Sequence, residues 1–358
     1  MQHLLSRARW DAGGVRDDVR SYVVEHSGDP GAVLVADETG DVRKGSATPG
    51  VQRQYTGTAG RIENAQVAVC LGYAAPRGHA LMDRALYQPK SWTGDPARCE
   101  AAGIPGPAAF AARPQLARLM IERAVSARVP FAWAAAGEAC GDNGPLRTWL
   151  EQQHIADVPA VARDHRVPAG AGRTGRADEL AARPPGRAWQ RLPAGDGAKG
   201  HRRHDWARVT TGNPGPGHRC PLIRRNQSTG EPASCHCCSP QPVTLAALVK
   251  AAGPRWTIEE NFQAGMGLTG PDEHQVRRWT SRYRRVTLAM PAAAALTIAT
   301  ALEHARDPGP PELIPLTRND IANLPATVTA RRAPTPGTAP AGHTADANQR
   351  QITQDQAT

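Results

Sequence analysis

The sequence predicts an α/β protein: a mixed sheet with flanking helices and an inserted irregular or β-rich subdomain. Three observations carry this. Apolar runs at 32–36, 66–73 and 80–87 precede a helix, strand, helix, strand alternation that reaches residue 162. That is an α/β order with an antiparallel start. Residues 169–217 break the pattern, being rich in Gly, Pro and Arg with weak periodicity. Beyond them a hairpin pattern leads into helical spacing up to about residue 304.

Residues 1–26 read as one or two helices, with Leu4, Leu5, Val15, Val19, Val23 and Val24 as apolar positions. Asp29-Pro30 makes a turn, and Ala32–Ala36 is a short apolar run that ends in Asp37, a buried-strand signature. Gln66–Tyr73 and Ala80–Tyr87 are the second and third strands. Leu116, Leu119, Met120, Ala124 and Val125 give Gln115–Arg128 helical spacing. Val129–Ala136 returns to strand, Leu146–Gln153 is a short helix and Val158–Ala162 another strand. Ser228-Thr229-Gly230 joins Arg219–Asn226 to Glu231–Ser239 as a β-hairpin. Leu245–Ala252 starts a helix that Gly253-Pro254 interrupts; Arg255–Met266 resumes it, since proline is acceptable at the first helical position. His274–His304 is a long helix with a kink expected at Pro291. After about residue 330 Pro, Thr, Ala and Gln dominate, and that composition predicts a disordered tail.

The chain has 358 residues and a net charge of +10. Apolar residues make up 40%, which excludes a wholly disordered chain, a collagen and a small disulfide-stapled scaffold. Of 43 basic residues only Lys44, Lys90, Lys199 and Lys250 are lysines, leaving 39 arginines. A pI near 9.7 suits polyanion partners, although many basic proteins bind no nucleic acid. The best apolar run, Ala292–Ala301, is too short to span a bilayer, so no membrane segment is expected. Met1–Trp10 has no apolar signal core, which predicts a reducing cytoplasm and free thiols for the seven cysteines.

Four constellations could carry chemistry. Val33–Gly40 delivers Asp37 at the end of a hydrophobic strand, where a two-metal nuclease fixes a carboxylate, or where an aspartate caps a turn. Arg255, Glu259, Phe262 and Met266 share one helical face. Glu259 could hold a metal while Arg255 neutralises a phosphate, or the two form an ordinary surface pair. Arg277, Arg278, Arg282, Arg284 and Arg285, interleaved with Trp279 and Tyr283, form a basic ridge. It suits the backbone of a duplex, or is a solvated face with inward aromatics. Cys235-His236-Cys237-Cys238 suggests zinc. Alternate residues of a strand face opposite ways, so the four cannot converge on one tetrahedral ion, and tight zinc binding is not expected even with His218 and Cys220 nearby.

Several motifs in order resemble the DDE transposases of the insertion sequence 701 family. They are Val35–Gly40, Gly50–Tyr55, Gly60–Gln66, Arg255–Glu260 and Asp272–Trp279, and the likeness spans about residues 1–320. The resemblance implies an RNase H-like fold. It implies a core at 31–168 completed by helices at 244–306, an insertion subdomain with the hairpin at 169–243, and a tail at 307–358. Residues 1–30 would be the helical remnant of a DNA-binding region, because Met1 falls inside the family pattern. It implies Mg²⁺- or Mn²⁺-dependent DNA cleavage and strand transfer, double-stranded DNA as partner, homo-oligomers or mixed oligomers with an intact transposase, and a bacterial, nucleoid-associated location.

Carried over by residue, Asp37 matches the first catalytic aspartate, Glu259 the catalytic glutamate and Arg255 the signature arginine. Gly137 occupies the second aspartate position, and Met266 that of the signature lysine. Glu138 is expected to point to the opposite face of the strand, and Asp142 to lie past it. Cys140, Cys220, Cys235, Cys238, Arg203, Arg208 and Arg285 stand where relatives carry aromatics, which reads as sequence decay. The expectation is a transposase-like protein with impaired or absent catalysis. The alternatives are a non-catalytic DNA-binding relic or regulator of an intact transposase, and a decayed reading-frame product that folds poorly.

Overall fold

A computed structural model describes residues 2–106, 109–170, 173–197, 200–209, 217–256, 258–259, 277–306 and 318–322. The expected tail, Phe262 and Met266 lie outside the described residues. The sheet is built on β1 (Val33–Val42), whose two edges are used differently. On one side it runs antiparallel to β3 (Arg61–Ala75), which pairs in turn with β4 (Gly78–Leu86) and, at its other end, with β2 (Gln52–Thr56). On the other side it runs parallel to β5 (Trp133–Ala136), and β5 parallel to β6 (Ala156–Asp157). An antiparallel meander extended by parallel strands, with helices on it, is an RNase H-like mixed α/β fold.

The sheet continues past β6 through β13 (Pro232–Ser239), β12 (His218–Arg225), β11 (Gly200–Arg208) and β10 (Gln190–Gly197), while β7 (Ala160–Val161) pairs with β13. A separate pair, β8 (Arg166–Gly170) with β9 (Arg173–Arg176), stands outside it. The Gly-, Pro- and Arg-rich stretch is thus more regular than its composition suggests. Backbone ladders form there without the apolar alternation that sequence reading depends on. The strand expected over 158–162 shortens to β7, and Pro159, which has no N–H to donate, stands between it and β6.

Strand alternation separates two cores. Leu34 and Ala36 face one, closed by Val19 and Val23 of the helix Ala12–Ser27, Met120 and Ala124 of the helix Arg113–Ser126, and Met290 and Ala294 of the long helix Trp279–Arg306. Val33 and Val35 face the other, closed by Leu248 and Val249 of the helix Leu245–Ala252 and by Ile258. The long helix runs through Pro291 without a break. By length and composition alone it could cross a membrane, but it packs Met290, Ala294 and Ile298 into the core.

The basic ridge does not form one open face. Arg282 and Arg285 are buried, and Arg282 pairs with Asp41, which also holds Arg43 at 2.9 Å. Arg282 is enclosed on a carboxylate and Arg285 is buried, so the expectation that these two face a duplex is corrected. Arg277 and Arg278 are exposed. Trp279 and Tyr283 stack at 4.3 Å and pack inward against small apolar clusters.

Candidate functional site

Asp37 is not at a strand end, as the apolar run suggests; β1 continues five residues beyond it, pairing Asp37 with Cys70 and Val42 with Ala65. What ends there is the parallel neighbour. The last β1–β5 pair is Ala36 with Ala136, so Asp37 stands just past the carboxyl end of β5. By alternation Asp37 shares a face with Val33 and Val35, the face closed by Ile258. Ile258 is fully buried against Gly72, where an added Cβ would meet its Cδ1 at 3.3 Å. That anchor sets the next residue, Glu259, over the same cleft.

The cleft, about 660 Å³, is lined by Asp37, Glu38, Thr39, Tyr55, Arg113, Gly137, Glu138, Cys140, Arg255 and Glu259, among others. The two acids and the arginine singled out from the sequence are therefore brought together across more than two hundred positions. Burial raises the Asp37 carboxyl above its ordinary range; Arg255 and the Glu38 N–H oppose the rise, and Glu259 adds to it. The Glu38 N–H donates to Asp37 Oδ1 at 2.8 Å.

Three further charged groups share the cleft. Glu38 is raised by burial, opposed by Arg113, and Asp37 adds to the rise. Arg113 donates to Glu38 Oε2 at 2.5 Å and to Gln54 Oε1 at 3.0 Å, and lies over the Tyr87 ring. Glu38 Oε1 is buried without a hydrogen-bond partner. Glu138 also lines the cleft, which corrects the pleat expectation: β5 ends at Ala136, Gly137 caps a short helix, and the alternation of a strand no longer applies. Asp142 is held elsewhere, accepting from Ala162 N at 3.2 Å and pairing with His165 at 2.9 Å. No sequence motif pointed to Arg113; its only signal is its place before a proline at a helix start.

Gly137 lies directly beside Asp37. An added Cβ there would stand 2.8 Å from Asp37 Oδ1. A side chain at 137 would thus meet the Asp37 carboxylate, as a second metal-holding aspartate would have to, and glycine supplies none. Among the described residues no group of three or more His, Cys, Asp or Glu side chains is arranged to hold a metal ion. Of the three positions that the resemblance assigns to a metal pair, Asp37 and Glu259 carry carboxylates in this cleft and position 137 carries none. Burial pushes the Cys140 thiol up to about 12. A second depression shares Glu138 and Arg255 with the cleft and is lined by Arg163, Arg224, Trp206 and Trp256. Arg224 lies 4.7 Å over the Trp256 ring and Arg255 5.1 Å.

Across the sheet extension, β12 and β13 set Cys220 opposite Cys237. His236 faces away from them and is 3.0 Å from Arg147, with burial depressing its ring to about 2.

A family model for DDE superfamily endonucleases matches residues 1–214. The chain is also 25% identical over 169 residues to a "Probable transposase for insertion sequence element IS701" from Microchaete diplosiphon. That alignment covers 47% of this chain and 41% of the relative, so the chain spans less than half the length of the curated protein it matches. The family match takes in β1, the meander, β5 and position 137, and on it the chain belongs to the DDE superfamily endonucleases.

Proposed function

We propose that this transposase-like chain binds double-stranded DNA through the cleft but has impaired or absent metal-dependent cleavage and strand transfer. The observation that carries the reading is the bare position at Gly137 beside Asp37. In a two-metal nuclease, carboxylates fix two cations on either side of the scissile phosphate. Here Asp37 and Glu259 line the cleft without a third carboxylate at that place. Mg²⁺ holds near-octahedral geometry and is anchored by one or two carboxylates, so each missing anchor matters.

What remains suits phosphate binding. Arg255 stands over the acids and at the junction of the two depressions, and Arg163 and Arg224 continue the basic lining. Arginine takes a phosphate bidentately, and phosphate contacts position a duplex without reading its sequence. Arg277 and Arg278 add exposed charge at the start of the long helix. Assembly, whether with a second copy or with an intact transposase, belongs to the same proposal.

The test is a mobility shift with DNA carrying the element's cognate ends, alongside nicking of a plasmid with those ends in Mg²⁺ and in Mn²⁺. Retention that weakens with salt and with Arg255→Ala, without nicking, is expected. Nicking abolished by Asp37→Asn would overturn the impairment; absence of retention would overturn the binding.

A further inference from the structure

We propose that Cys220 and Cys237 are a peroxide-responsive pair that closes into a reversible disulfide, tying β12 to β13. The two are register partners on antiparallel strands, so both side chains lie on one face. The neighbouring pair, Pro221 and His236, is turned outward: Pro221 O accepts from Val209 N at 2.9 Å, and His236 N donates to Pro159 O at 3.1 Å. In an antiparallel ladder the next pair along is then the one turned inward, with its Cα atoms about 5.5 Å apart. That separation lies inside the Cα range of a disulfide, roughly 4.4–6.8 Å. The Cβ atoms, about 5.5 Å apart in such a pair, must close by about 1 Å, which leaves the bond strained and readily reduced.

The surroundings assign roles to the two sulfurs. Cys220 is half-buried and accepts a hydrogen bond from the Cys237 thiol, which lowers it, and Arg208 adds to the effect. Cys237 is fully buried and held well up. The Cys220 thiolate would attack the peroxide, breaking the O–O bond and forming a sulfenic acid with release of one water. The Cys237 sulfur would then attack that sulfur, forming the S–S bond as the S–O bond breaks and a second water leaves. Two thiols lose two hydrogens and two electrons, and the peroxide is reduced to two waters. A small-molecule thiol reverses the step by exchange.

Other cysteines are poorer partners. Cys235 lies two positions along the same strand as Cys237, about 6.6 Å away with its Cβ parallel rather than facing. Cys238 is on the opposite face, near Glu151 and Asp157. The bond would matter because Cys235, on the tied face, lines the depression that shares Arg255 with the candidate site.

The experiment treats the folded full chain with hydrogen peroxide, alkylates it under denaturing conditions, and maps peptides without reduction. Two of the seven thiols should be protected from alkylation, in one linked species joining Cys220 and Cys237, and recovered with dithiothreitol. Cys220→Ser and Cys237→Ser should each abolish that species, and Cys235→Ser should leave it. If a serine variant does not fold, the map of the unmodified chain still decides. Seven alkylated thiols after peroxide, or linkage through Cys235 or Cys238, would overturn the proposal.

Discussion

Gly137→Asp restores the missing carboxylate, and its cost and rescue can both be worked out. The backbone at 137, φ −70° and ψ 173°, suits any residue, so the substitution brings no conformational strain. Its Cβ would stand 2.8 Å from Asp37 Oδ1, so the Asp37 carboxylate must swing aside, loosening the bond it accepts from Glu38 N. Two carboxylates about 4 Å apart repel by about 4 kcal/mol at an effective dielectric near 20. Protonating one of them instead costs less than that, because burial already raises the Asp37 carboxyl. A divalent cation reverses the sign, and at a hundredfold excess over its dissociation constant it adds about 2.7 kcal/mol. Thermal unfolding of Gly137→Asp in EDTA should therefore fall by several degrees, at roughly 2 °C per kcal/mol for a large chain. Millimolar Mn²⁺ should recover more than half of that fall while leaving the unmodified chain unmoved. Full turnover is not expected, because the resemblance sets Met266 at the position of the family's signature lysine. An equal Mn²⁺ response in both proteins, or no destabilisation of the variant in EDTA, would refute the reasoning.

Other substitutions separate binding from folding. Arg277→Ala or Arg278→Ala should weaken DNA binding and reduce the salt slope by about 1 for each phosphate no longer neutralised, with stability unchanged. Arg282→Ala should instead lower stability by roughly 1–2 kcal/mol in urea unfolding, since it takes one of two arginine partners from the half-buried Asp41 and leaves Arg43 as the other. Arg113→Ala should cost about 2 kcal/mol by leaving Glu38 unpaired in a half-buried site, and Arg113→Lys should not fully rescue it because one ammonium replaces a fork reaching two acceptors. Asp157 is fully buried, neither carboxylate oxygen has a hydrogen-bond partner, and burial holds its carboxyl well above the ordinary range. Its folded form binds the proton more tightly than the unfolded chain does. Stability therefore falls as pH rises from the unfolded value toward the folded one, and Asp157→Asn should flatten that fall in urea unfolding across acid to neutral pH.

The parts of the fold written in apolar alternation were legible: the buried run Val33–Ala36, the helix Arg113–Ser126 and the hairpin partners β12 and β13 all follow side-chain pattern. Strands held mainly by backbone ladders were not. β2, with Gln and Arg at its centre, and β10 and β11, with Pro, Gly and charged residues, carry no periodic signal. Asp37, Glu259 and Arg255, which line one cleft, could be singled out because each sits in a motif. Arg113 and Glu138 were not, because their place in the cleft depends on where a neighbouring strand stops. The arginine ridge misled for the converse reason. Helical spacing gives the face a residue occupies, and only tertiary packing tells whether that face is covered.

The central proposal is that, without a carboxylate at position 137, the cleft does not hold a metal pair. Calorimetric titration of Mn²⁺ into the unmodified chain, with Asp37→Asn as control, tests it most directly. The account predicts no saturable binding that depends on Asp37; stoichiometric uptake of two ions, abolished in Asp37→Asn, would contradict it.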